Sequence, residues 1–395
     1  MESWSSVNRG CPRNYRDGLL CHYLFRDGSA QYIFLDLADE GSVVVNRSLS
    51  FNTESNMHIC ASSNGLLLLS SVNGNLLRYN LFNLLTEQCV VLPQPQITRR
   101  SIGTGLAFDG FHYQVVRIFS SEGDRSIKES SSSSAPSAAR GGRFIEMEIF
   151  SSETGIWKRH CPPIHLPSDL PKLSTIPLFS NGAIHWELGG YLLMYYVNSS
   201  YCRLIELPNY PQKWSCNSLT FGQCLWEAQG YVHYCYTDSE GIHTWVLLKE
   251  EDHQYYSSYY HYDRDRYQWK LAHTVTHQYL MCQNPEIFLR MGRRNIYFIQ
   301  WEPYFISPFA YIQSFQTLYL RLPGMIVSYN LRTQALKEVC SYEFPDSNFH
   351  CCLLVAVVHS SKDGARGGHA KPAGAIGNAI SLPITDALEK PTKSK

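Results

Sequence analysis

The sequence of 395 residues carries little charge and no net charge. Asp, Glu, Lys and Arg make up 17% of it, with 34 acidic and 34 basic residues, whereas an average soluble domain has about 25% charged residues. Without a net positive field, the chain has no overall attraction for nucleic acid or for an anionic membrane. We therefore predict neither nucleic-acid binding nor membrane association.

The sequence also lacks a long apolar segment. No basic stretch followed by an apolar one comes after Met1, so no signal peptide is predicted. Apolar clusters such as Leu66–Leu69 are far shorter than the roughly 20 residues that cross a bilayer. The 13 cysteines are odd in number and irregularly spaced, which favours reduced, mostly buried thiols over a disulfide framework. These absences predict a soluble protein of the cytoplasm, the nucleus or both.

Motifs that carry catalysis or hold cofactors are missing as well. There is no Gly-x-Ser-x-Gly elbow, phosphate-binding loop or His-Glu-x-x-His sequence. Gly103-Thr104-Gly105 lacks the third glycine of a dinucleotide site and is interpreted as a turn. His273 and His277 are four residues apart without a third ligand, so structural positions are favoured over a metal site. We predict a protein that is not an enzyme and that has no cofactor and no metal.

Three zones of composition divide the chain. Residues 1–18 are polar and irregular, residues 19–358 carry nearly all the aromatic side chains, and residues 360–395 contain no Phe, Tyr or Trp. Aromatic residues make up 13% of the whole sequence, enough to fill a core within the central zone. We predict one folded domain at 19–358, interrupted by a disordered Ser-rich insertion at 120–143 and followed by a disordered tail at 359–395.

The hydrophobic pattern of the central zone has a period of two. Short runs of β-branched and aromatic residues recur, and no amphipathic helix longer than about three turns is evident. Asn-Gly and Asp-Gly pairs, which supply the positive φ angles of tight hairpin turns, separate many of these runs. The pairs are Asp27-Gly28, Asn64-Gly65, Asn73-Gly74, Asp109-Gly110 and Asn181-Gly182. This pattern predicts an all-β sandwich, barrel or propeller.

Weak internal repetition favours the propeller. Leu77–Leu81 followed by Thr86 resembles Val327–Leu331 followed by Thr333, and Ile149–Trp157 has the same form. In each, a strand ends in a polar turn that carries Thr, and a second strand returns. Such a hairpin forms the outer half of a propeller blade, and the length of the zone fits a single propeller of about six to eight blades.

The order of motifs resembles the plant F-box-associated domain, the kelch-like region that follows the F-box in a large plant family. The similar segments are His58–Leu67, Tyr79–Pro93, Gly105–Asp109, Tyr113–Val116, Glu148–Trp157, Asn181–Trp186, Ile205–Pro208, Leu225–Gly230, His243–Leu247 and Trp269-Lys270. The resemblance as a whole extends over roughly 52–345. Two residues depart from the family pattern, Leu81 in place of proline and Gln114 in place of lysine. No segment resembles the helical F-box itself, so we expect the chain to begin just after it.

The resemblance implies a function in binding. Such a propeller recognises a target protein for an SCF (Skp–cullin–F-box) ubiquitin ligase, and the Skp adaptor and cullin become partners only if an F-box is supplied upstream. The alternative is a free-standing interaction module, a decoy or scaffold without a link to a ligase. A propeller enzyme would need carboxylates that converge on the central channel.

One segment has the composition of a protein-binding loop. It contains Tyr255, Tyr256, Tyr259, Tyr260 and Tyr262 together with serines. Tyrosine offers a large contact area at low entropic cost, so these five residues are the candidate partner-binding site; the alternative is an ordinary Tyr-rich hairpin.

The tryptophans recur at similar strand positions. Trp157, Trp186, Trp245 and Trp269 are therefore assigned to packing rather than to ligand stacking.

Overall fold

A computed structural model describes residues 18–24, 30–37, 43–48, 57–122, 143–166, 176–208, 223–249, 267–294, 306–341 and 354–358, without 74–75, 85, 87, 163, 314–315 and 323. The predicted tail, residues 123–142 of the predicted insertion and the five candidate tyrosines lie outside the described residues.

The described residues form antiparallel sheets and two short helices. The strands and helices, in chain order, are β1 (Gly18–Leu24), β2 (Ala30–Leu37), β3 (Val43–Ser48), β4 (Met57–Ser63), β5 (Leu66–Asn73), β6 (Leu76–Asn83), β7 (Gln88–Val91), β8 (Gly103–Phe108), β9 (Tyr113–Glu122), β10 (Arg143–Ser151), β11 (Ile156–His160), β12 (His165–Leu166), β13 (Leu178–Ser180), β14 (Ala183–Glu187), β15 (Tyr191–Tyr196), β16 (Tyr201–Glu206), β17 (Gln223–Ala228), β18 (Tyr231–Thr237), β19 (Gly241–Lys249), β20 (Tyr267–Thr276), α1 (His277–Gln283), α2 (Pro285–Arg294), β21 (Ser307–Ile312), β22 (Thr317–Leu322), β23 (Met325–Asn330), β24 (Leu336–Ser341) and β25 (Leu354–Val358).

The sheets are the blades of a β-propeller. Blade 1 is β4–β7, blade 2 is β8–β11 with β12 paired to β10, blade 3 is β13–β16, blade 4 is β17–β20 and blade 5 is β21–β24. In each blade the strands pair in chain order, so every turn joins neighbours. A further sheet has the order β25-β1-β2-β3 and combines strands from both ends of the chain. Its strand β25 lies against β4 of blade 1 and β21 of blade 5.

The prediction of a propeller is confirmed, but the predicted count of six to eight blades is wrong. Within the described residues, five blades are built from consecutive strands, and the remaining sheet is assembled from the two ends of the chain. The count was too high because it was taken from the length of the zone, and part of that length is in strands outside the five consecutive blades. Length does not reveal that β1 and β25 pair from opposite ends of the chain, from Gly18 with Val358 to His22 with Leu354.

The three repeated hairpins lie where the repetition placed them. They are β6–β7, β10–β11 and β23–β24, the third and fourth strands of blades 1, 2 and 5, so the prediction of outer blade halves is confirmed. The alignment between the first and last was, however, shifted by three residues. Asn83 and Asn330 are the equivalent positions, because each side chain accepts a bond from the backbone N–H of the Thr three residues later, at 3.2 and 2.8 Å.

The predicted turn chemistry is confirmed at two Asn-Gly pairs. Asn64 and Gly65 have φ angles of 45° and 82°, and Asn181 and Gly182 have 51° and 72°. Two successive positive φ angles are what a tight hairpin turn with a right-handed strand twist requires.

Gly103-Thr104-Gly105 is not the turn that the sequence suggested. It lies inside β8, where Gly105 faces Trp186 of blade 3. A Cβ added at Gly105 would lie 2.5 Å from the Cζ2 atom of Trp186. The glycine therefore makes room for the neighbouring blade rather than for a change of chain direction.

The two helices between blades 4 and 5 were not predicted. Thr276 caps α1, since its side chain accepts a bond from the Tyr279 N–H. Helix α2 begins at Pro285 with Glu286 in its first turn, directly after Asn284. An Asn-Pro-Glu sequence is a helix-start signal, but helices of seven and ten residues are too short for periodicity to reveal. The all-β description is amended accordingly.

The core consists of layers between successive blades. Leu68, Val115 and Trp157 belong to the layer between blades 1 and 2. Trp186 lies in the layer between blades 2 and 3, while Trp245 and Trp269 pack at the edge of the next layer. The assignment of these tryptophans to packing is confirmed.

The cysteines only partly follow their prediction. The seven cysteines whose side chains the structure describes are free thiols. Cys202, Cys224 and Cys235 are buried, but Cys89, Cys161 and Cys282 are exposed. Among the described helices, none is long and apolar enough to cross a membrane.

A buried ion pair fixes the linker between blades 1 and 2. Arg117 on β9 and Glu148 on β10 are fully buried and 2.5 Å apart. Glu148 also accepts bonds from the backbone N–H groups of Gln96 and Ile97 at 2.6 and 3.1 Å. Arg117 donates to the carbonyl oxygens of Ile97 and Arg99 at 2.8 and 3.1 Å. One buried charge pair thus replaces water for polar backbone groups of the linker, in which Leu92, Pro95 and Ile97 are themselves buried.

We expect the substitution Arg117→Met to lower the free energy of unfolding by about 3–5 kcal/mol, because it leaves the Glu148 carboxylate buried without its cation. The double variant Arg117→Met/Glu148→Gln removes both charges and keeps an acceptor oxygen, so it should lose less than the sum of the single variants. Urea denaturation of the four proteins in a double-mutant cycle measures this coupling. A decrease of less than about 1 kcal/mol in the free energy of unfolding of Arg117→Met would contradict the predicted role of the ion pair.

Candidate protein-interaction face

The turns that join the first to the second strand and the third to the fourth strand of a blade lie at the same end. In blade 1 the Leu84 N–H donates to the Gly65 oxygen at 3.0 Å, and in blade 3 the Val197 N–H donates to the Gly182 oxygen at 3.0 Å. Equivalent bonds occur in blades 2 and 5. We call the end of the propeller that carries these two sets of turns the turn face.

Hydrogen bonds also join the turns of successive blades. The Asn64 side chain donates to the Phe108 oxygen of blade 2 at 2.9 Å. The Asn181 side chain donates to the Gly230 oxygen of blade 4 at 2.8 Å, and the Gln229 N–H donates to the Gln313 side chain of blade 5 at 3.3 Å. We call the turn between the first and second strands of a blade its inner turn and the turn between the third and fourth its outer turn. These bonds link the inner turns of blades 1 and 2, of blades 3 and 4, and of blades 4 and 5.

Tyrosines and an arginine meet on the turn face where blades 3 and 4 adjoin. The hydroxyl groups of Tyr196 and Tyr267 are 2.9 Å apart. The Arg203 guanidinium lies 5.2 Å from the ring centre of Tyr267 and 6.0 Å from that of Tyr201, and the Tyr196 and Tyr201 rings stack at 6.1 Å. We call these four residues the tyrosine–arginine seam. Tyr201 is 44% exposed, so the seam is open to a partner.

The seam lies at the base of the tyrosine-rich segment predicted from sequence. Tyr255, Tyr256, Tyr259, Tyr260 and Tyr262 are outside the described residues, and their role stays a prediction. The strands on either side of them end at Lys249 and begin at Tyr267, which pair with each other next to the seam. Sequence reasoning missed the seam because its residues come from β15, β16 and β20; the tyrosines at both ends of the turn 197–200 were the available signal.

A second exposed feature of the turn face is the inner turn of blade 2. The Asp109 carboxylate accepts bonds from the backbone N–H groups of Phe111 and His112 at 2.8 and 2.7 Å. These two bonds hold the pKa of Asp109 below its usual range. The His112 ring lies 3.7 Å from the carboxylate of Glu153 on the outer turn of the same blade. Phe111, between these polar groups, is 86% exposed.

The inner strands of the five blades carry one carboxylate, Glu227 on β17. Its side chain accepts a bond from the Gly230 N–H at 2.6 Å and thereby closes a turn. These strands do not supply the converging carboxylates that a propeller enzyme would need.

The histidines at positions 273 and 277 have different surroundings. Nε2 of His277 is 2.8 Å from the backbone carbonyl oxygen of Asp238, and burial lowers the pKa of His277. The ring of His273 packs against Tyr329 at 6.1 Å. Among the described residues, no group of three or more His, Cys, Asp or Glu side chains is arranged to hold a metal ion.

Comparison with known protein families identifies the family of the chain. The model of the family described as "F-box protein At3g26010-like, beta-propeller" matches residues 36–353. The chain belongs to this family. The resemblance to plant F-box-associated propellers found in the sequence is therefore confirmed.

Individual relatives are distant. The F-box protein At5g07610 of Arabidopsis thaliana is 22% identical over 370 residues, an alignment that covers 87% of this chain and 80% of that protein. A solved structure of a nidogen/laminin complex aligns with 87% of this chain and 99% of that chain at 9% identity, with a TM-score of 0.39. A structural likeness this weak carries no argument about function.

Away from the turn face, blade 3 contains a buried acid. Glu187 at the end of β14 is 5% exposed and accepts a bond from the Gly190 N–H at 3.3 Å. Burial raises the pKa of Glu187 to about 7, although the Gly190 and Gly189 N–H groups oppose this shift. The carboxyl is therefore protonated in the folded protein at a pH where it is ionised in the unfolded chain.

We expect this carboxyl to make stability fall with rising pH. Its folded pKa of about 7 exceeds the unfolded value of 4.5, so its contribution is complete below pH 4.5 and is lost as the pH rises through 7. Glu187→Gln cannot ionise at this position, so its free energy of unfolding relative to that of the wild type should rise by about 2 kcal/mol between pH 5 and pH 8. Urea unfolding of both proteins across this range measures the difference. A difference that stays constant with pH would contradict the shift.

Proposed function

We propose that the chain is the substrate-recognition propeller of an SCF ubiquitin ligase, and that it binds a target protein on the turn face. Its membership in an F-box protein family supports the ligase link, since the propeller of such a protein is a candidate recognition module. The observation that carries the choice of face is the tyrosine–arginine seam.

The seam has the residue types of the centre of a protein interface, and its side chains are held in place by contacts with one another. Tyr and Arg are enriched among the residues that dominate binding energy. Here Arg203 lies beside the rings of Tyr201 and Tyr267, while the hydroxyl bond between Tyr196 and Tyr267 joins the two blades. Because these contacts order the side chains before a partner arrives, binding loses little side-chain entropy.

The polar character of the turn face favours protein as the partner. Its inner turns present the neutral side-chain amides of Asn64, Asn181 and Gln313, which are engaged in the bonds between blades. The described residues of these inner turns offer no row of cations for phosphate groups, which nucleic-acid binding depends on. A target protein would instead contact tyrosine rings and turn backbone.

A second function remains open on the same surface. A free-standing module, a decoy or scaffold, would bind its target through the turn face without passing it to a ligase. The two functions differ in the fate of the bound target: only the first shortens the half-life of the target when the chain is overproduced together with an F-box.

We expect Tyr201→Ser/Arg203→Ser to weaken target binding by roughly 30-fold or more, the effect of losing an interface hot spot. Proteins retained by the chain from plant extract would be purified, and their affinities for each variant measured by calorimetry. The matched control is Arg159→Ser/Leu271→Ser, which changes exposed residues of the outer strands β11 and β20. Equal affinities for the seam variant and the control would exclude the seam.

We expect residues 1–395 alone not to retain purified Skp adaptor, because the sequence contains no segment that resembles an F-box. The same chain with a plant F-box fused before Met1 should bind the adaptor and support ubiquitination of a bound target in a reconstituted reaction. Direct binding of the adaptor by residues 1–395 would contradict this expectation. Adaptor binding by the fusion without ubiquitination of the target would favour the free-standing module.

A further inference from the structure

Phe111 is the most exposed large apolar residue among those described. Its exposed fraction of 86% exceeds the 65% of Val91 and the 62% of Leu289. It lies between β8 and β9, on the inner turn of blade 2, outside the layer in which Tyr113, Phe150 and Trp157 of this blade are buried. Single exposed apolar residues are common on protein surfaces, so its exposure alone assigns it no role.

The turn that carries Phe111 is unusually well fixed. Asp109 accepts the N–H groups of both Phe111 and His112, and the Asp109 N–H donates to the His112 oxygen at 3.2 Å. At the two ends of the turn, Asn64 of blade 1 bonds to the Phe108 oxygen, and the Tyr113 N–H donates to the Ser152 hydroxyl at 2.9 Å. The backbone is therefore held on both sides and within the turn.

Two exposed carboxylates lie beside His112, the residue that follows Phe111. The side chains of Asp109 and Glu153 are 60% and 61% exposed, and each lies within 4 Å of the His112 ring. The two N–H groups that Asp109 accepts favour its ionised form, which keeps its pKa low. An exposed apolar ring and two exposed carboxylates thus lie on the inner and outer turns of the same blade.

We infer that Phe111 is a preformed anchor that inserts into an apolar pocket of the target protein, and that Lys or Arg residues of the target border this pocket. The inference rests on the proposed function, since it identifies which part of the turn face the target covers and with what chemistry. An ordered backbone presents the ring without a loss of loop entropy on binding. The carboxylates of Asp109 and Glu153 complement basic residues at the rim of the pocket.

The experiment replaces Phe111 by p-benzoylphenylalanine in the full chain and, as a control, replaces Leu289 of α2 in the same way. After irradiation in plant extract, the partner residues cross-linked at each position are mapped by mass spectrometry. We expect position 111 to link to apolar residues with Lys or Arg nearby in the sequence or structure of one partner. Links from position 111 to polar surface residues of many proteins, as from position 289, would overturn the inference.

Affinities measured with that purified partner complete the test. Phe111→Ser should weaken binding roughly 30-fold, Phe111→Trp should retain it within a few-fold, and Leu289→Ser should leave it unchanged. Asp109→Asn keeps the acceptor for the turn but removes the charge, and should reduce the dependence of affinity on salt. Circular dichroism and thermal melting check that each variant is folded.

The outcomes separate the inference from the function on which it rests. If Phe111→Ser binds the partner as the wild type does while Tyr201→Ser/Arg203→Ser does not, the anchor is wrong and target binding on the turn face stands. If the wild-type chain binds no purified partner at all, the proposed function fails, and the anchor with it.

Discussion

Pairing between the two ends of the chain is the constraint on which the ring depends. Strand β25 joins β1 in one sheet and lies against the inner strands of blades 1 and 5. Without this sheet, one apolar face of β4 and one of β21 would have no neighbouring blade. Each of the five consecutive blades is a local product of the sequence, but a closed ring that presents all inner turns together requires a contact between residues at opposite ends of the chain. The loop closure that this contact needs is costly in entropy, and it is offset by the apolar layers on either side.

This division between local and distant contacts explains how far the sequence could be interpreted. Asn64-Gly65 and Asn181-Gly182 predict tight turns because positive φ angles depend on the residues themselves. The repeated outer hairpins are local too and were found. Gly105 was wrongly assigned to a turn, because a glycine is needed there to make room for Trp186, a residue of the next blade. Arg117 and Glu148 could not be paired in advance for a similar reason, since they lie on different strands on either side of the Ser-rich insertion.

The site was predictable only in part. A tyrosine-rich segment between two strands suggests binding from composition alone, and its flanking strands do end on the turn face. The seam beside it depends on which strand ends the propeller brings together: Tyr196 and Tyr201 frame one turn, whereas Tyr267 comes from the neighbouring blade. The exposure of Phe111 could not be predicted either, because an aromatic residue in a β-rich sequence is expected to be buried.

The hydrogen bonds of the turn face distinguish residues that hold the turns in position from residues that are available to a partner. Backbone bonds such as that from the Leu84 N–H to the Gly65 oxygen join two turns of one blade, and side-chain bonds such as that from Asn181 to the Gly230 oxygen join turns of neighbouring blades. The turns that these bonds join are therefore in position before any partner binds. The residues free to differ are those whose side chains these bonds do not use, among them Phe111 and Tyr201. A change at such a residue alters the surface without breaking a bond between blades, whereas substitution of Asn64 or Asn181 removes such a bond. If the turn face binds a target, as we propose, target choice can therefore vary through a few exposed side chains while the turns that carry them keep their positions.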